Sequence, residues 1–298
     1  MIAIDLGSNS LRMIQVDCST LKFTAEYEKI VKTAELIHSD GIISEGAQQR
    51  ILKGFEEASS ILDFESHQCV AVTTEAMRRA SNAEEVLTRI HEKTGVVFEV
   101  IGAQKEAELT LLAVDKRLDT LGFRGSFVLI DIGGGSTEII FKKGKLSESK
   151  SFPVGIVTMA SKYASKDELG IHLVNELSEI AEYVQEYYTK EGKPDFFVAT
   201  AGTPTTIASY LQGMTYASYD KDRINGSTLN SFDCLKALDD LLNLSFDERA
   251  RYVGVGREEL IISGVMIYEA FFNLLDFESS VIIDDGLREG LAISSCEK

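Results

Sequence analysis

One local pattern occurs twice in this chain of 298 residues and constrains what it can fold into. The first copy runs from Ile2 to Ser10 (IAIDLGSNS), and the second runs from Val128 to Glu138 (VLIDIGGGSTE). In each copy a β-branched, apolar run ends on an aspartate, and glycine and hydroxyl residues then lead into another apolar run. This order is typical of a strand, a tight turn and a returning strand. Because the copies are far apart in the chain, they predict two related lobes.

The turns of both copies have the composition of a phosphate-binding loop. Glycines let a backbone approach a phosphate closely, and the N–H groups and hydroxyls of such turns can bind its oxygens. An aspartate at a strand end is a suitable ligand for a hydrated divalent cation. A plain glycine-rich hairpin with turn aspartates is the alternative, but the recurrence favours phosphate. The candidates are Asp5, Gly7, Ser8, Asn9, Asp131, Gly133, Gly134, Gly135, Ser136, Thr137 and Glu138.

A third loop, from Ala199 to Thr206, follows an apolar run and precedes a predicted helix. Thr203 is predicted to be the N-cap and Pro204 the first helical residue, which would leave N–H groups at a helix start, where anions bind. An ordinary capped helix explains the same residues when the loop is considered alone. Together with the two turns, the loop adds Gly202, Thr203 and Thr205 to the phosphate-binding candidates.

Glu106 and Arg78 are the candidates for chemistry outside these loops. Glu106 is near the start of a predicted helix, Ala103 to about Leu118, where a carboxylate can act as a general base toward water. A glutamate that only interacts with the helix dipole is the commoner alternative. Arg78 follows a predicted strand, Gln68–Thr73, so its guanidinium can reach a phosphate and bind it through two N–H groups.

The charge of the chain excludes some classes of function. Its 47 acidic and 30 basic residues give a net charge of -17, which counts against general nucleic-acid binding. A polyanionic substrate would therefore need a bound metal or a local basic patch. The basic groups are Arg78-Arg79, Lys142-Lys143-Lys145 and Arg249-Arg251-Arg257, and solvated surface charge is the alternative interpretation of each.

The spacing of the cysteines and histidines and the hydropathy of the chain limit the expected cellular compartment and the kinds of metal site that the chain can form. Cys18, Cys69, Cys234 and Cys296 form no C-x-x-C motif, which argues against a disulfide scaffold or a zinc ribbon and fits a reducing cytoplasm. No window has the length of a membrane span, and the N-terminus does not resemble a signal peptide. The histidines have no metal-ligand spacing and are interpreted as surface or packing residues: His38, His67, His91 and His172.

The order of predicted elements indicates an α/β chain of two domains. Strand-like runs alternate with helical patterns in both halves, and Gly122 and Gly125 mark the boundary. The domains are predicted at residues 1–119 and 120–298. In the second, a single long helix is predicted from Lys166 to Lys190 and a closing helix from Gly286 to Ser294.

Several segments, taken in order, resemble the exopolyphosphatase/guanosine pentaphosphate phosphohydrolase (Ppx/GppA) family. This family belongs to the superfamily of actin-like, sugar kinase and Hsp70-type ATPases. The ordered set covers nearly the whole chain and is highly specific. The matching segments are Ile4–Ser10, Thr73–Arg78, Asn82, Ile101–Leu109, Asp131–Glu138, Gly202–Thr206 and Asp285–Gly290.

The resemblance implies a fold and a set of roles. The fold would be two ribonuclease-H-like lobes with the site in an interlobe cleft, and a terminal helix, about residues 286–298, that can return to the first lobe. Glu106 would be the catalytic base, and Arg78 and the three loops would bind phosphate. Asp5, Asp131 and Glu138 would hold Mg²⁺ or another divalent cation.

The resemblance also implies a reaction, the release of terminal phosphate from inorganic polyphosphate or the conversion of pppGpp to ppGpp. A cytoplasmic location and a homodimer are further expectations. The chain resembles the short, two-domain branch, which puts processive degradation of very long polyphosphate in doubt. Arg79 departs from the acidic residue frequent at its position. The alternatives are an actin-like ATPase or small-molecule kinase, and a non-catalytic sensor of polyphosphate or an alarmone.

Overall fold

The chain forms two compact units, which are described one at a time. The computed structural model describes residues 1–37 and 39–297. His38 and Lys298 lie outside the described residues, and so does the prediction that His38 is a surface or packing residue. The first unit comprises Met1–Val114 with Asp285–Lys298, and the second comprises Asp115–Asp284. The units thus divide a few residues before the predicted boundary, inside a helix that spans Ala103–Leu121.

The first unit is built on a mixed sheet of five strands in the order β3-β2-β1-β4-β5. Its strands are β1 (Ile2–Leu6), β2 (Ser10–Asp17), β3 (Lys22–Ile30), β4 (Cys69–Thr73) and β5 (Phe98–Val100). Its helices are α1 (Glu45–Ala58), α2 (Glu75–Arg79), α3 (Ala83–Thr94), the beginning of α4 (Ala103–Leu121) and, from the end of the chain, α13 (Leu287–Cys296).

The register of the parallel strands fixes where the candidate residues of this unit emerge. Leu6 of β1 is opposite Thr73 of β4, and Thr73 is opposite Val100 of β5. The three strands therefore end at one edge of the sheet, and their loops leave from that edge. Ligands of open α/β sheets bind outside the carboxyl ends of the strands, so this edge is the expected position of a site.

Helix α13 completes the core of the first unit. Its Leu287 and Leu291 pack in one apolar cluster with Ala3 of β1 and Ile14 of β2. At Gly290 the helix lies so close to α4 that an added Cβ would be 2.5 Å from the carbonyl carbon of Leu109. Only glycine permits this approach, because any side chain would have to displace backbone.

Two charged side chains of α13 are buried in this packing. Arg288 Nε donates to Glu289 Oε1 at 2.8 Å, and its Nη2 reaches Glu26 at 3.2 Å. Glu289 also accepts the N–H of Gly286 at 3.0 Å. Burial acts to raise the pKa of Glu289, but the adjacent Arg288 charge and the Gly286 N–H outweigh it, so that pKa lies below its ordinary value.

A disulfide joins Cys18, after β2, to Cys296, the last residue of α13, with their Cα atoms 5.0 Å apart. The sequence argued against a disulfide scaffold, and for this pair that expectation is wrong. The partners are 278 positions apart in the chain, so their spacing does not reveal the bond. Cys69 and Cys234 are free thiols.

The second unit repeats the same topology with one additional strand. Its sheet has the order β10-β11-β9-β6-β7-β8. The strands are β6 (Phe127–Ile132), β7 (Thr137–Lys143), β8 (Leu146–Phe152), β9 (Phe196–Thr200), β10 (Thr228–Asn230) and β11 (Ser279–Ile282). The helices are α5 (Ile156–Lys162), α6 (Lys166–Glu176), α7 (Ser178–Glu191), α8 (Gly202–Leu211), α9 (Lys221–Ile224), α10 (Ser231–Asn243), α11 (Phe246–Val253) and α12 (Leu260–Leu275).

These two mixed sheets confirm the predicted α/β class. In both sheets the first three strands form an antiparallel β-meander. The first strand of each meander, β1 or β6, also pairs in parallel with a later strand that is reached through helices. The single helix predicted from Lys166 to Lys190 is wrong, because Leu177 leaves helical geometry (φ -93°, ψ 1°) and separates α6 from α7. Leu173, Leu177 and Ile180 are all buried, so the hydrophobic period continues across the break and conceals it. Within residues 1–37 and 39–297, no helix is both long and apolar enough to cross a membrane.

Candidate active site

The turn between β1 and β2 presents main-chain N–H groups. Gly7 N–H closes it by donating to the Ser10 carbonyl at 3.0 Å, and the Ser8 carbonyl accepts the Ala34 N–H at 2.8 Å. In the part of the chain that the structure describes, no main-chain carbonyl accepts the N–H groups of Ser8 and Asn9. The buried side-chain oxygen of Asn9 also has no hydrogen-bond partner there. Two N–H donors in a turn form a concavity that suits an anion.

The turn between β6 and β7 has the same construction. Gly133 N–H donates to the Ser136 carbonyl at 2.8 Å. The first N–H groups of α5 donate to the carbonyls of Gly133 and Gly134 at 2.8 to 3.2 Å, which fixes the peptide planes. Among residues 1–37 and 39–297, no main-chain carbonyl accepts the N–H groups of Gly134 and Gly135. The second turn therefore offers the same kind of main-chain anion site as the first.

Gly155, which the sequence did not single out, supports this second turn. It precedes α5, and a Cβ at this position would be 2.6 Å from the carbonyl carbons of Gly134 and Gly135. The backbone of Gly155 has φ -137°, which any residue can adopt, so the requirement for glycine is one of space.

Two of the predicted metal ligands face each other in the second unit. Asp131 of β6 is directly opposite Glu138 of β7, and opposed residues of an antiparallel pair extend from the same face. Glu138 is buried and accepts from the hydroxyls of Ser136 at 2.8 Å and Ser151 at 2.6 Å. Two opposed carboxylates are unfavourable without a cation, and their hard oxygens suit Mg²⁺.

Asp5, the third predicted ligand, lies in the first unit, one residue before the end of β1. One of its oxygens is 4.0 Å from the position of a Cβ on Gly7, so it lies beside the first turn. Among the described residues, no three His, Cys, Asp or Glu side chains group as metal ligands. The expectation that Asp5, Asp131 and Glu138 share one cation stays a prediction, and such a cation would also need water or phosphate oxygens.

The loop before α8 differs from its prediction in how the helix begins. The predicted Thr203 N-cap is wrong, because α8 begins at Gly202 after Ala201, which adopts a left-handed φ of 71°. Thr203 is buried under Gly264 of α12, and Thr205 Oγ1 donates to the Ala201 carbonyl at 2.9 Å. No side chain caps α8, so its first N–H groups remain the part of the loop suited to an anion.

Arg257 adds a positive charge to this loop. Its guanidinium lies 3.6 to 3.7 Å from the position of a Cβ on Gly202. The sequence grouped Arg257 with Arg249 as one basic patch, but the two have different roles. Arg249 is buried and donates to the carbonyls of Leu241 at 2.9 Å and Glu258 at 3.1 Å. Its surface-charge interpretation is therefore wrong, and Arg257 is the candidate for a phosphate.

Arg78 and Glu106 meet at the carboxyl edge of the first sheet. Arg78 is in α2, which follows β4, and Glu106 is in the first turn of α4, which follows β5. Arg78 Nη1 donates to Glu106 Oε2 at 3.1 Å and to the Ile101 carbonyl at 2.6 Å, and its Nη2 donates to Glu75 Oε2 at 2.9 Å. A guanidinium, the kind of group that binds phosphate, thus lies beside a carboxylate, the kind of group that can activate water.

The charges around Arg78 keep it protonated. Burial acts to lower the pKa of Arg78, but the charge of Glu106 and the hydrogen bonds to Glu106 and Glu75 more than offset it, so the pKa lies above its ordinary value. The guanidinium is therefore a permanent positive charge at this edge.

Comparison with known proteins identifies the family of this chain. The pattern of the Ppx/GppA phosphatase family matches residues 13–298. This chain belongs to the Ppx/GppA phosphatase family. Exopolyphosphatase 1 of Mycobacterium leprae is 28% identical over 97% of this chain and 87% of that protein. The Ppx/GppA family member of Aquifex aeolicus, a crystal structure, has a TM-score of 0.72 and 28% identity over 99% of this chain and 96% of that one.

A second solved structure shows the fold at greater sequence distance. An exopolyphosphatase from Cytophaga hutchinsonii has a TM-score of 0.85 at 20% identity and covers 99% of this chain and 97% of its own. The actin-like fold expected from the resemblance is confirmed, since this Ppx/GppA chain superposes on family members over nearly its full length.

Proposed function

We propose that this Ppx/GppA family member is a phosphoanhydride hydrolase that removes terminal phosphate from inorganic polyphosphate or converts guanosine pentaphosphate to the tetraphosphate. The observation that carries the proposal is the hydrogen bond between Arg78, the proposed phosphate ligand, and Glu106, the proposed base. The substrates named for relatives, and the presence of main-chain N–H turns in both units, support the same class of substrate.

In this mechanism water attacks the terminal phosphorus while Glu106 accepts one of its protons. The P–O anhydride bond breaks, and the bond's electron pair leaves with the oxygen of the shortened chain. Arg78 stabilises the negative charge of the phosphoryl oxygens through charge-assisted hydrogen bonds. The turn N–H groups of Ser8, Asn9, Gly134 and Gly135 are proposed to hold further phosphate oxygens.

Mg²⁺, if bound, would supply charge neutralisation on the phosphate oxygens, and Asp131, Glu138 and Asp5 are the residues proposed to hold it. The opposed pair Asp131 and Glu138 fits this group best, because these carboxylates extend from one face of the sheet. A homodimer and a cytoplasmic location remain proposals carried by the resemblance.

Replacement of Glu106 tests the proposed base. We expect Glu106→Gln to lower kcat for phosphate release by about 10²- to 10⁴-fold, since general-base catalysis contributes about that much, and to leave polyphosphate binding nearly unchanged. Glu108→Gln is the matched control, because Glu108 lies two residues further along the same helix, α4, but is exposed. Full activity of Glu106→Gln would contradict the role.

The substrate is tested by measuring phosphate release from polyphosphates of several lengths, pppGpp and ATP, with and without Mg²⁺. Release from polyphosphate or pppGpp supports the proposal. Transfer of phosphate from ATP to an acceptor would instead identify a kinase, and tight binding without release would identify a sensor.

A further inference from the structure

We propose that Glu75 is a positioning residue, an internal counter-ion that competes with phosphate for Arg78. The inference rests on the proposed function. Glu75 lies in the segment Thr73–Arg78 that matches the family. Its carboxylate takes one of the two Nη2 hydrogens of Arg78, and its negative charge opposes the approach of a phosphate oxygen to the guanidinium.

The contact is built into α2 itself. Glu75 is the first residue of this helix and Arg78 follows three positions later, so the two side chains lie on one face. Glu75 Oε2 accepts from Arg78 Nη2 at 2.9 Å, and Glu75 Oε1 is 3.7 Å from Arg79 Nη1. The Glu75 and Arg78 side chains are 20% and 21% exposed, so the pair is accessible to a ligand but partly shielded from solvent.

The other contacts of Arg78 make Nη2 the nitrogen at which phosphate would compete with Glu75. Each terminal guanidinium nitrogen carries two hydrogens. Nη1 uses both, one toward the Ile101 carbonyl at 2.6 Å and one toward Glu106 at 3.1 Å. A phosphate that leaves Glu106 in place must therefore bind on the Nη2 and Nε side, where Glu75 already takes one Nη2 hydrogen.

The balance of charge predicts which ligands can displace Glu75. The four side chains Glu75, Arg78, Arg79 and Glu106 carry two negative and two positive charges, so the group attracts a phosphate only weakly from a distance. A terminal phosphate of a long polyanion is held by other contacts along its chain and can compete with Glu75. Free phosphate has no such contacts, so Glu75 favours release of the product.

Glu75→Gln tests this competition, because the amide can still accept a hydrogen bond from Nη2 but carries no charge. We expect the inhibition constant of inorganic phosphate and the KM for polyphosphate to fall by about three- to fivefold, the effect of one partly exposed ion pair, while kcat changes less than about twofold. Phosphate binding measured by calorimetry should tighten by the same factor.

Glu75→Ala separates the competition from positioning. Here Arg78 also loses a hydrogen-bond acceptor, so we expect kcat to fall as well, whereas Glu75→Gln retains it. Glu84→Gln is the matched control, since Glu84 is an exposed first-turn glutamate of the next helix.

Unchanged phosphate affinity and KM in Glu75→Gln, with a native melting temperature, would overturn the inference. If the wild-type protein releases no phosphate from any substrate, the proposed hydrolase fails. The calorimetric comparison of phosphate binding still decides whether Glu75 competes for Arg78.

Discussion

At the scale of single residues, three hydroxyls of the predicted phosphate loops already donate to other groups of the protein. Thr137 Oγ1 donates to the Val154 carbonyl, Thr205 Oγ1 donates to the Ala201 carbonyl, and Ser136 Oγ donates to Glu138. These hydroxyls hold the loops in shape. The N–H groups that the turns present have no main-chain acceptor among the described residues, so phosphate recognition by these loops would depend on backbone geometry.

Gly155→Ala tests that dependence. Because an added Cβ would be 2.6 Å from the backbone of Gly134 and Gly135, the turn must shift, and we expect stability to fall by about 1–3 kcal/mol and the KM for polyphosphate to rise. Thermal unfolding and phosphate-release kinetics measure both effects.

Gly170→Ala is the control for this substitution. A Cβ there would meet only the flexible end of Met266, at 3.5 Å, so stability should stay within about 1 kcal/mol of wild type. Wild-type KM in Gly155→Ala would show that the position of this turn does not govern binding.

At the scale of elements, the sequence predicted which segments form strands and loops better than it predicted which residues contact each other there. The two aspartate strands, their turns and the helix carrying Glu106 were predictable, because apolar runs and glycines signal them directly. The contact of Arg78 with Glu106 was not, since it joins residues 28 positions apart and depends on the register of β4 and β5. The Ala201 N-cap was missed for a related reason, because Thr203 is the better capping residue by composition but is buried under Gly264.

Helix α13 gives a prediction with a pH dependence. Glu289→Gln removes the buried charged partner of Arg288 and leaves it only the half-exposed Glu26, so we expect the free energy of unfolding at pH 7 to fall by about 3 kcal/mol. Because the pKa of Glu289 is lower in the folded than in the unfolded protein, this stabilisation is present above the unfolded pKa, about 4.3, and is lost as the pH falls through the folded pKa.

Urea unfolding of Glu289→Gln and wild type from pH 7 to pH 3 checks this prediction, and the difference between them should shrink toward low pH. Glu278→Gln, at an exposed position, should stay within about 0.5 kcal/mol of wild type throughout. A constant difference at all pH values would show that packing, and not charge, explains the loss.

At the scale of the whole molecule, the Cys18–Cys296 bond closes almost the entire chain into a loop. Such a crosslink restricts the unfolded chain, so we expect Cys296→Ser, or reduction, to lower the free energy of unfolding by about 2–5 kcal/mol. Thermal unfolding with and without reductant measures the effect. Cys69→Ser controls for loss of a thiol, since Cys69 forms no disulfide. An unchanged melting temperature on reduction would contradict the prediction.

Because α13 belongs to the unit that also contains β1, the order of synthesis differs from the order in which the units can be completed. On the ribosome, β1 and β2 emerge first, but their Ala3 and Ile14 stay uncovered until residues 287–296, which form α13, have been translated. The intervening unit is continuous in the chain and can close earlier. Nascent chains stalled before residue 287 should therefore protect the later segment from protease while the earlier one stays susceptible.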